Sequence, residues 1–280
     1  MKKTNKSMYL IFTLLMFGIC ISNVKAADYT NYFGIEMTNK QYNNLLNQGF
    51  DDYEIYLMDA ETFNTNKDIE AELVSINSKY YKSIYTGLDG STQVVEMTKE
   101  EYENESSNQM RGYVQTQYKR MDAYISQVDS AHFRYKVTVG WLQMPAVRSY
   151  DIIGLAFEYT NVSMVGILNF RYNYCVQSGT CYTDGTFYYQ TETFNGGSTV
   201  YKIPSSPVSL SATLYYDVEK KTTDTITAQL IHGDYAHATT NVNSSIYTNH
   251  GMTRGGLSLG TSVPYYDDIP CATTGWTGSW

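Results

Sequence analysis

The sequence predicts a mainly β protein: an antiparallel β-sandwich, Ig-like or jelly-roll-like, preceded by a small helical mini-bundle and a β-hairpin. Three observations carry that expectation. From Gly112 onward, about nine or ten short segments alternate apolar with polar residues and are separated by Gly, Asn, Asp and Ser clusters. Tyrosine, a strand-favouring type, supplies 28 of the 280 residues. Helix-start signals gather in the N-terminal part, at Thr38, at Asp51 or Asp52, at Asp59 and at Thr98.

Residues 1–26 have the layout of an export signal. Lys2, Lys3 and Lys6 form a positive start, Met8 to Ile21 an apolar run, and Val24-Lys25-Ala26 places small residues for cleavage after Ala26. The apolar run is shorter than the roughly 20 residues needed to span a bilayer. Ile19 precedes Cys20 where a lipoprotein signal carries a small residue. No later segment is apolar enough to span, so the mature chain is expected to have no transmembrane segment and to be secreted or surface-associated. The signal holds four lysines and no acid, and its removal takes the formal net charge from −8 to −12. A chain so acidic repels phosphate backbones, which argues against nucleic acid as a partner.

Residues 27–75 are expected to form a three-helix module. Thr38 with Gln41 fits a capping box ahead of Tyr42, Leu45 and Leu46, and Gly49 stops that helix. Asp51 or Asp52 caps a second helix with Ile55 and Met58, and Asp59 a third with Phe63. Helices this short need one another's apolar residues to persist. The Leu-x-x-x-Gly-Phe and Glu-Ile-x-x-Met pattern resembles small three-helix modules of the ubiquitin-associated type. In an exported protein that resemblance implies a structural or docking bundle, not ubiquitin.

Residues 76–110 read as a hairpin and a linker helix. Lys79–Thr86 and Thr92–Met97 flank Gly87-Leu88-Asp89-Gly90-Ser91, a turn signal, and Met97-Thr98-Lys99-Glu100-Glu101-Tyr102 repeats the earlier capping chemistry. Glu103–Asn108 is polar and reads as a linker. Residues 111–280 are expected to form the sandwich. Its clearest strand is FRYKVTVGWLQ, where Phe133, Tyr135, Val137, Val139 and Trp141 alternate with Arg134, Lys136, Thr138 and Gly140, the pattern of a half-buried strand. Leu210 to Val218 and Ile226 to Leu230 repeat it. Further strands are expected at 152–159, 163–174, 186–193, 198–203, 238–247 and 256–262. Trp276 and Trp280 fall on one face of a closing strand and read as core.

The segment Trp141 to Gly154 (WLQMPAVRSYDIIG), with GDYAHAT at 233–239, resembles an uncharacterised family of exported proteins from low-GC Gram-positive bacteria. No activity attaches to that family, so the resemblance implies export and supplies no catalytic residue.

The mature chain keeps three cysteines. Cys175 and Cys181 are expected to close a small disulfide loop across CVQSGTC, contributing roughly 2 kcal/mol in the chain-entropy model, and Cys271 is left over. Two of the four histidines sit in IHGDYAH, so His232, Asp234 and His237 are the candidate metal or catalytic triplet. A regular strand separates them. His232 and Asp234 continue the face of Ile226, Ala228 and Leu230, whereas Tyr235 and His237 point the other way. Only a bulge at Gly233 would gather them. The expectation is a bend at Gly233-Asp234 with His232 near the core edge and His237 on the surface, and with no metal or cofactor. Asp267-Asp268 with Asp217, Asp224 or Asp234 has the residue types of a calcium site, and solvated loop acids are the favoured alternative. The chain contains no nucleophile elbow, no phosphate-binding glycine loop and no HExxH.

The aromatics are the stronger lead. Tyr188-Tyr189, Tyr215-Tyr216 and Tyr265-Tyr266 are each expected to send one ring inward and one outward, and these six are the candidate ligand-binding residues. The function expected is therefore non-enzymatic binding of a cell-surface glycan or protein. The alternatives are a secreted membrane-acting toxin or bacteriocin-like protein, and a metal-assisted hydrolase centred on IHGDYAH.

Overall fold

Thr38 and Asp51 each open a helix through a reciprocal capping box. Thr38 accepts the Gln41 amide and the Gln41 side chain accepts the Thr38 amide, and Asp51 and Glu54 repeat the exchange. Helices α1 (Asn39–Asn47) and α2 (Asp52–Tyr56) follow these caps, and Asp59 caps α3 (Ala60–Asn66). A ribbon of β1 (Tyr29–Thr30) and β2 (Glu36–Met37) precedes them. Gly49 joins α1 to α2 with φ of +86°, and a Cβ there would lie 3.0 Å from the Tyr124 ring, so both backbone and space require glycine. The structure is a computed structural model that describes residues 28–85, 92–107, 116–141, 143–159, 161–242, 250–259, 266–267 and 271–280. The expected export signal and the hairpin turn after residue 85 lie outside the described residues.

Beyond the helices the chain is built from antiparallel strands. In chain order these are β3 (Glu72–Tyr85), β4 (Thr92–Met97), helix α4 (Lys99–Ser107), β5 (Thr116–Gln127), β6 (His132–Trp141), β7 (Tyr150–Phe157) and β8 (Val162–Val176). There follow β9 (Cys181–Asp184), β10 (Tyr189–Thr193), β11 (Gly196–Lys202), β12 (Pro207–Lys220), β13 (Ala228–Ala236), β14 (Gly251–Thr253), β15 (Gly256–Ser258) and β16 (Cys271–Thr277). Seven strands form one sheet in the order β4-β3-β5-β6-β12-β8-β9, and five form a second in the order β10-β11-β7-β13-β16. The fold is thus an antiparallel β-sandwich with a helical module ahead of it. Strand β3 pairs with β5, so the hairpin is continuous with the large sheet.

The core between the sheets comes from the alternation in β5, β6 and β12. Met121, Ala123 and Ile125, then Phe133 to Trp141, then Leu210 to Val218, all meet Ile153, Leu155 and Ile231 of the small sheet. Trp276 and Trp280 flank Phe133 at 5.2 and 4.6 Å between ring centroids, as core residues. A smaller cluster under β14 and β15 joins Ile152, Ala236, Met252 and Leu257. Among the described residues no helix is long and apolar enough to cross a membrane.

Several expectations are corrected. Strand β3 begins at Glu72 rather than Lys79, and α4 runs through the polar stretch from Glu103 to Ser107. Strand β5 carries Lys119, Arg120 and Asp122 among its apolar residues, which hid it from a periodicity search. From the expected strand at 238–247, the described part forms only a bridge from Ala238 to Tyr266.

The largest correction concerns β6, whose polar face is buried as well. Arg134 and Lys136 point away from the core into the helical module. Lys136 Nζ donates to Gly49 O at 2.6 Å, Glu54 Oε2 at 2.6 Å and Thr138 Oγ1 at 2.9 Å. Arg134 pairs with Asp217 through Nε and Nη2, and its Nη1 donates to Gln48 Oε1 at 2.5 Å and Asn66 Oδ1 at 2.7 Å. Phe50 and Tyr215 pack beside these cations with Leu45, Ile55, Met58 and Phe63. The module therefore buries its apolar side against the sheet.

Two stability outcomes follow from this packing. Lys136→Ala leaves Glu54 buried without its cation and is expected to lower the urea unfolding free energy by about 3–5 kcal/mol. A Cβ on Gly233 would sit 2.3 Å from Val137 Cγ2 across the sandwich. Gly233→Ala should therefore lower stability by about 1–3 kcal/mol in the same assay, as an overpacked core.

Candidate functional site

Strand β13 runs through Ile231 to Ala236 without a bulge and ends just before His237. Its register against β7 and against β16 is unbroken, with Gly233 opposite Leu155 on one side and Ala272 on the other. Gly233 is small because the opposing sheet is close, not because the strand bends. The inward face is Gln229, Ile231, Gly233 and Tyr235, the reverse of the expected one, and Ile226 is buried ahead of the strand. Two inward side chains have polar tips and one is absent, so hydrophobicity ranks the faces wrongly.

The three candidate site residues diverge. His232 Nε2 lies 2.7 Å from Glu158 Oε1 and its Nδ1 3.0 Å from Thr273 Oγ1. Asp234 accepts the Leu257 amide at 2.7 Å, and burial raises its carboxyl above the usual range. His237, expected on the surface, is 1% exposed. Its Nδ1 lies 3.0 Å from both Asp151 oxygens and its ring meets the Trp141 ring at 5.0 Å. Among the described residues no group of three His, Cys, Asp or Glu is placed to hold a metal ion. The acids considered for calcium are likewise scattered. Asp217 pairs with Arg134, Asp267 with Lys119, and Asp224 sits in an exposed turn, while Asp268 lies outside the described residues.

His237 instead belongs to a polar layer inside the sandwich. Asp151 of β7 accepts from Tyr235 Oη and from the Ala238 amide at 3.1 Å. Tyr235 Oη in turn lies 3.0 Å from Tyr201 Oη and accepts from Trp141 Nε1 at 3.0 Å. Burial holds the Tyr201 and Tyr235 phenols well above their ordinary range, which keeps them as donors. The cavity between the helical module and the large sheet, beside Phe50, Glu54 and Arg171, measures about 20 Å³, room for one water.

The tyrosine pairs divide differently from expectation. Tyr216 is fully buried between the sheets, and Tyr215, expected to face outward, is covered by the helical module with Phe50 at 5.6 Å. Tyr266 is buried as well, and Tyr265 lies outside the described residues. The Tyr215 correction has a plain cause: strand β12 is covered on both faces, so alternation puts neither of its rings in water. Tyr188 and Tyr189 are exposed, at 55% and 38%.

Those two rings belong to a larger aromatic edge where β9 leads into β10. Cys175 and Cys181 are joined by a disulfide and face each other in register, which sets Tyr174 opposite Tyr182. The Tyr174 and Tyr182 rings stack at 5.0 Å and 20°, Tyr174 stacks on Tyr172, and Tyr172 packs on the buried Tyr201 at 5.3 Å. Tyr182 is 44% exposed and Phe187 46%. Tyr188 meets Tyr150 edge-on at 5.1 Å, and Tyr189 meets His250. Tyr201, Tyr172, Tyr174 and Tyr182 thus lead ring by ring from the core to the surface, and Tyr188 and Tyr189 make their own contacts beside them. Tyr174, Tyr182 and Phe187 were not among the expected site residues. The signal lay in the cysteines: a disulfide across a hairpin aligns the residue before the first with the residue after the second. Among the described residues Cys271 is the free cysteine.

No family model and no curated protein matches the sequence. Solved structures similar to the chain include a collagen-binding domain from a Staphylococcus aureus adhesin, with a TM-score of 0.27 and 9% identity over 52% of this chain and 88% of that one. Another concerns pH-induced modulation of Streptococcus parasanguinis adhesion by Fap1 fimbriae, with a TM-score of 0.28 and 12% identity over 72% and 95% of the two chains. A third is the collagen-binding domain of Erysipelothrix rhusiopathiae surface protein RspB, at 0.26 and 8% over 59% and 67%. Scores this low carry no functional inference.

His250, under Tyr189, gives the edge a pH response. Its Nδ1 lies 2.7 Å from Ser198 Oγ, and burial lowers its pKa from 6.5 to about 4. The unfolded chain therefore binds a proton that the folded chain refuses between those values. The stability tied to this group is complete above pH 6.5 and is lost as the pH falls towards 4. Melting temperatures taken from pH 7 to pH 5 should fall less steeply for His250→Gln than for the parent.

Proposed function

We propose that this chain is an exported, non-enzymatic binding protein that holds a cell-surface glycan or protein on its aromatic edge. The observation that carries this reading is the exposure of Tyr182, Phe187, Tyr188 and Tyr189 within one short stretch of β9, β10 and their connection, with Tyr182 stacked on Tyr174. Rings anchored from within offer contact area at little cost in side-chain entropy, which suits recognition. The tyrosine hydroxyls supply hydrogen bonds while the ring faces, Phe187 included, stack on sugar or side-chain carbon. The titratable groups of IHGDYAH are engaged in separate contacts within the chain. That arrangement favours binding over catalysis.

Binding of the protein to a panel of immobilised glycans, cell-wall fragments and matrix proteins tests the proposal. Tyr182→Ala and Tyr188→Ala are each expected to weaken the retained interaction about tenfold or more at unchanged melting temperature, the loss typical of an anchoring ring. A double variant that binds as the parent does would remove the aromatic edge from consideration.

A further inference from the structure

Lys119 and Asp267 stand apart from every other ion pair in the described residues. Both side chains are fully shielded from solvent, and Lys119 Nζ lies 2.5 Å from Asp267 Oδ2. Lys119 is on the inward face of β5, opposite Trp141 of β6. An ammonium carries three N–H donors. Here Asp267 is its one hydrogen-bond acceptor among the described residues, and its other neighbours are the Trp141 ring at 4.8 Å and the Tyr235 ring at 5.6 Å. The second buried lysine differs. Lys136 has three acceptors for its three protons, and its partner Glu54 also accepts from the Asp51 amide and two threonine hydroxyls. Every donor of the Lys136 ammonium is thus matched by an acceptor, whereas Lys119 has one acceptor for its three.

We propose that Lys119 and Asp267 are joined by an intramolecular amide bond that the folded chain forms by itself. The pair reacts in its neutral form, after one proton has passed from the amine to Oδ2. The Nζ lone pair attacks Cγ, the Nζ–Cγ bond forms, and the Cγ–Oδ2 bond breaks. The departing hydroxyl takes a proton from nitrogen and leaves as water. Oδ1 becomes the amide oxygen. It already accepts the His237 backbone amide at 2.9 Å, a fixed donor for the charge that gathers there as Cγ becomes tetrahedral. No oxidant, reductant or activating group is consumed.

Two physical effects drive the condensation. Burying opposite charges costs desolvation that the ion pair recovers only in part, and amide formation removes both charges. Two groups held in contact also react with effective molarities of about 10⁵–10⁸ M, against which the hydrolysis favoured in open water cannot compete in a site closed to solvent. The bond would tie β5 of the large sheet to the segment entering β16 of the small one.

Intact-mass spectrometry of the folded protein, after reduction of the Cys175–Cys181 disulfide, tests this directly. The expected mass is that of the chain from its observed N-terminus less one water molecule, not two. A protease digest should contain one branched peptide joining Lys119 to Asp267, with Lys136 and Glu54 unlinked. Lys119→Arg should restore the full mass, and the parent result does not depend on that variant folding. A folded parent at full mass overturns the proposal. So does a loss of water with Lys119 recovered in an unbranched peptide, which would place the dehydration elsewhere.

Discussion

The outer half of this molecule depends on two cations placed two residues apart on one strand. Arg134 and Lys136 project from β6 away from the sandwich core, where an ordinary sheet would meet water. Left in the open they would hold nothing. Covered by the helical module, they organise Gln48, Asn66, Glu54 and the Gly49 carbonyl into one connected set of hydrogen bonds. The arrangement makes the module and the sheet conditional on each other. Helices of five, seven and nine residues cannot persist singly, and a buried guanidinium or ammonium cannot lose its acceptors cheaply. The contacts that orient the module are polar, while those that hold it are Leu45, Phe50, Ile55, Met58 and Phe63 against Tyr215.

This dependence explains what the residues reveal by themselves and what they conceal. The capping boxes at Thr38 and Asp51 are legible because cap and partner lie three residues apart and need no third party. The strands of the core are legible where one face is aliphatic, as in β6 and β12, and the closing tryptophans are legible for the same reason. The polar face of β6 is not. Arginine and lysine alternating with aliphatics describe a solvated face and a covered one equally well, and what decides is a segment some eighty residues earlier in the chain. Tyr215 was misplaced by that same ambiguity.

IHGDYAH shows the complementary failure. Its residue types belong to a site, but its glycine answers to Val137 on the opposite sheet, and its histidines answer to Glu158 on one face and Asp151 on the other. Polar residues can line the interior of a sandwich when each finds a partner there, and periodicity has no means of listing those partners. The aromatic edge, by contrast, was half visible. Tyr188 and Tyr189 are where an exposed pair should be, while Tyr174 and Tyr182 are brought together by a pairing that only the cysteines announce.

The coupling of module to sheet has a consequence at the rim of the large sheet. Strand β9 is only four residues long and ends the sheet, so its outward amides are a template on which another chain could grow. Tyr32 removes part of that template: its hydroxyl accepts the Cys181 amide at 3.0 Å. Thr183, on the same strand, donates to the Leu57 carbonyl. The segment that supplies acceptors to the buried cations therefore also covers part of an open edge. A chain that lost its first helices would set a raw strand beside rings that are already exposed, the two ingredients of fibrous self-association.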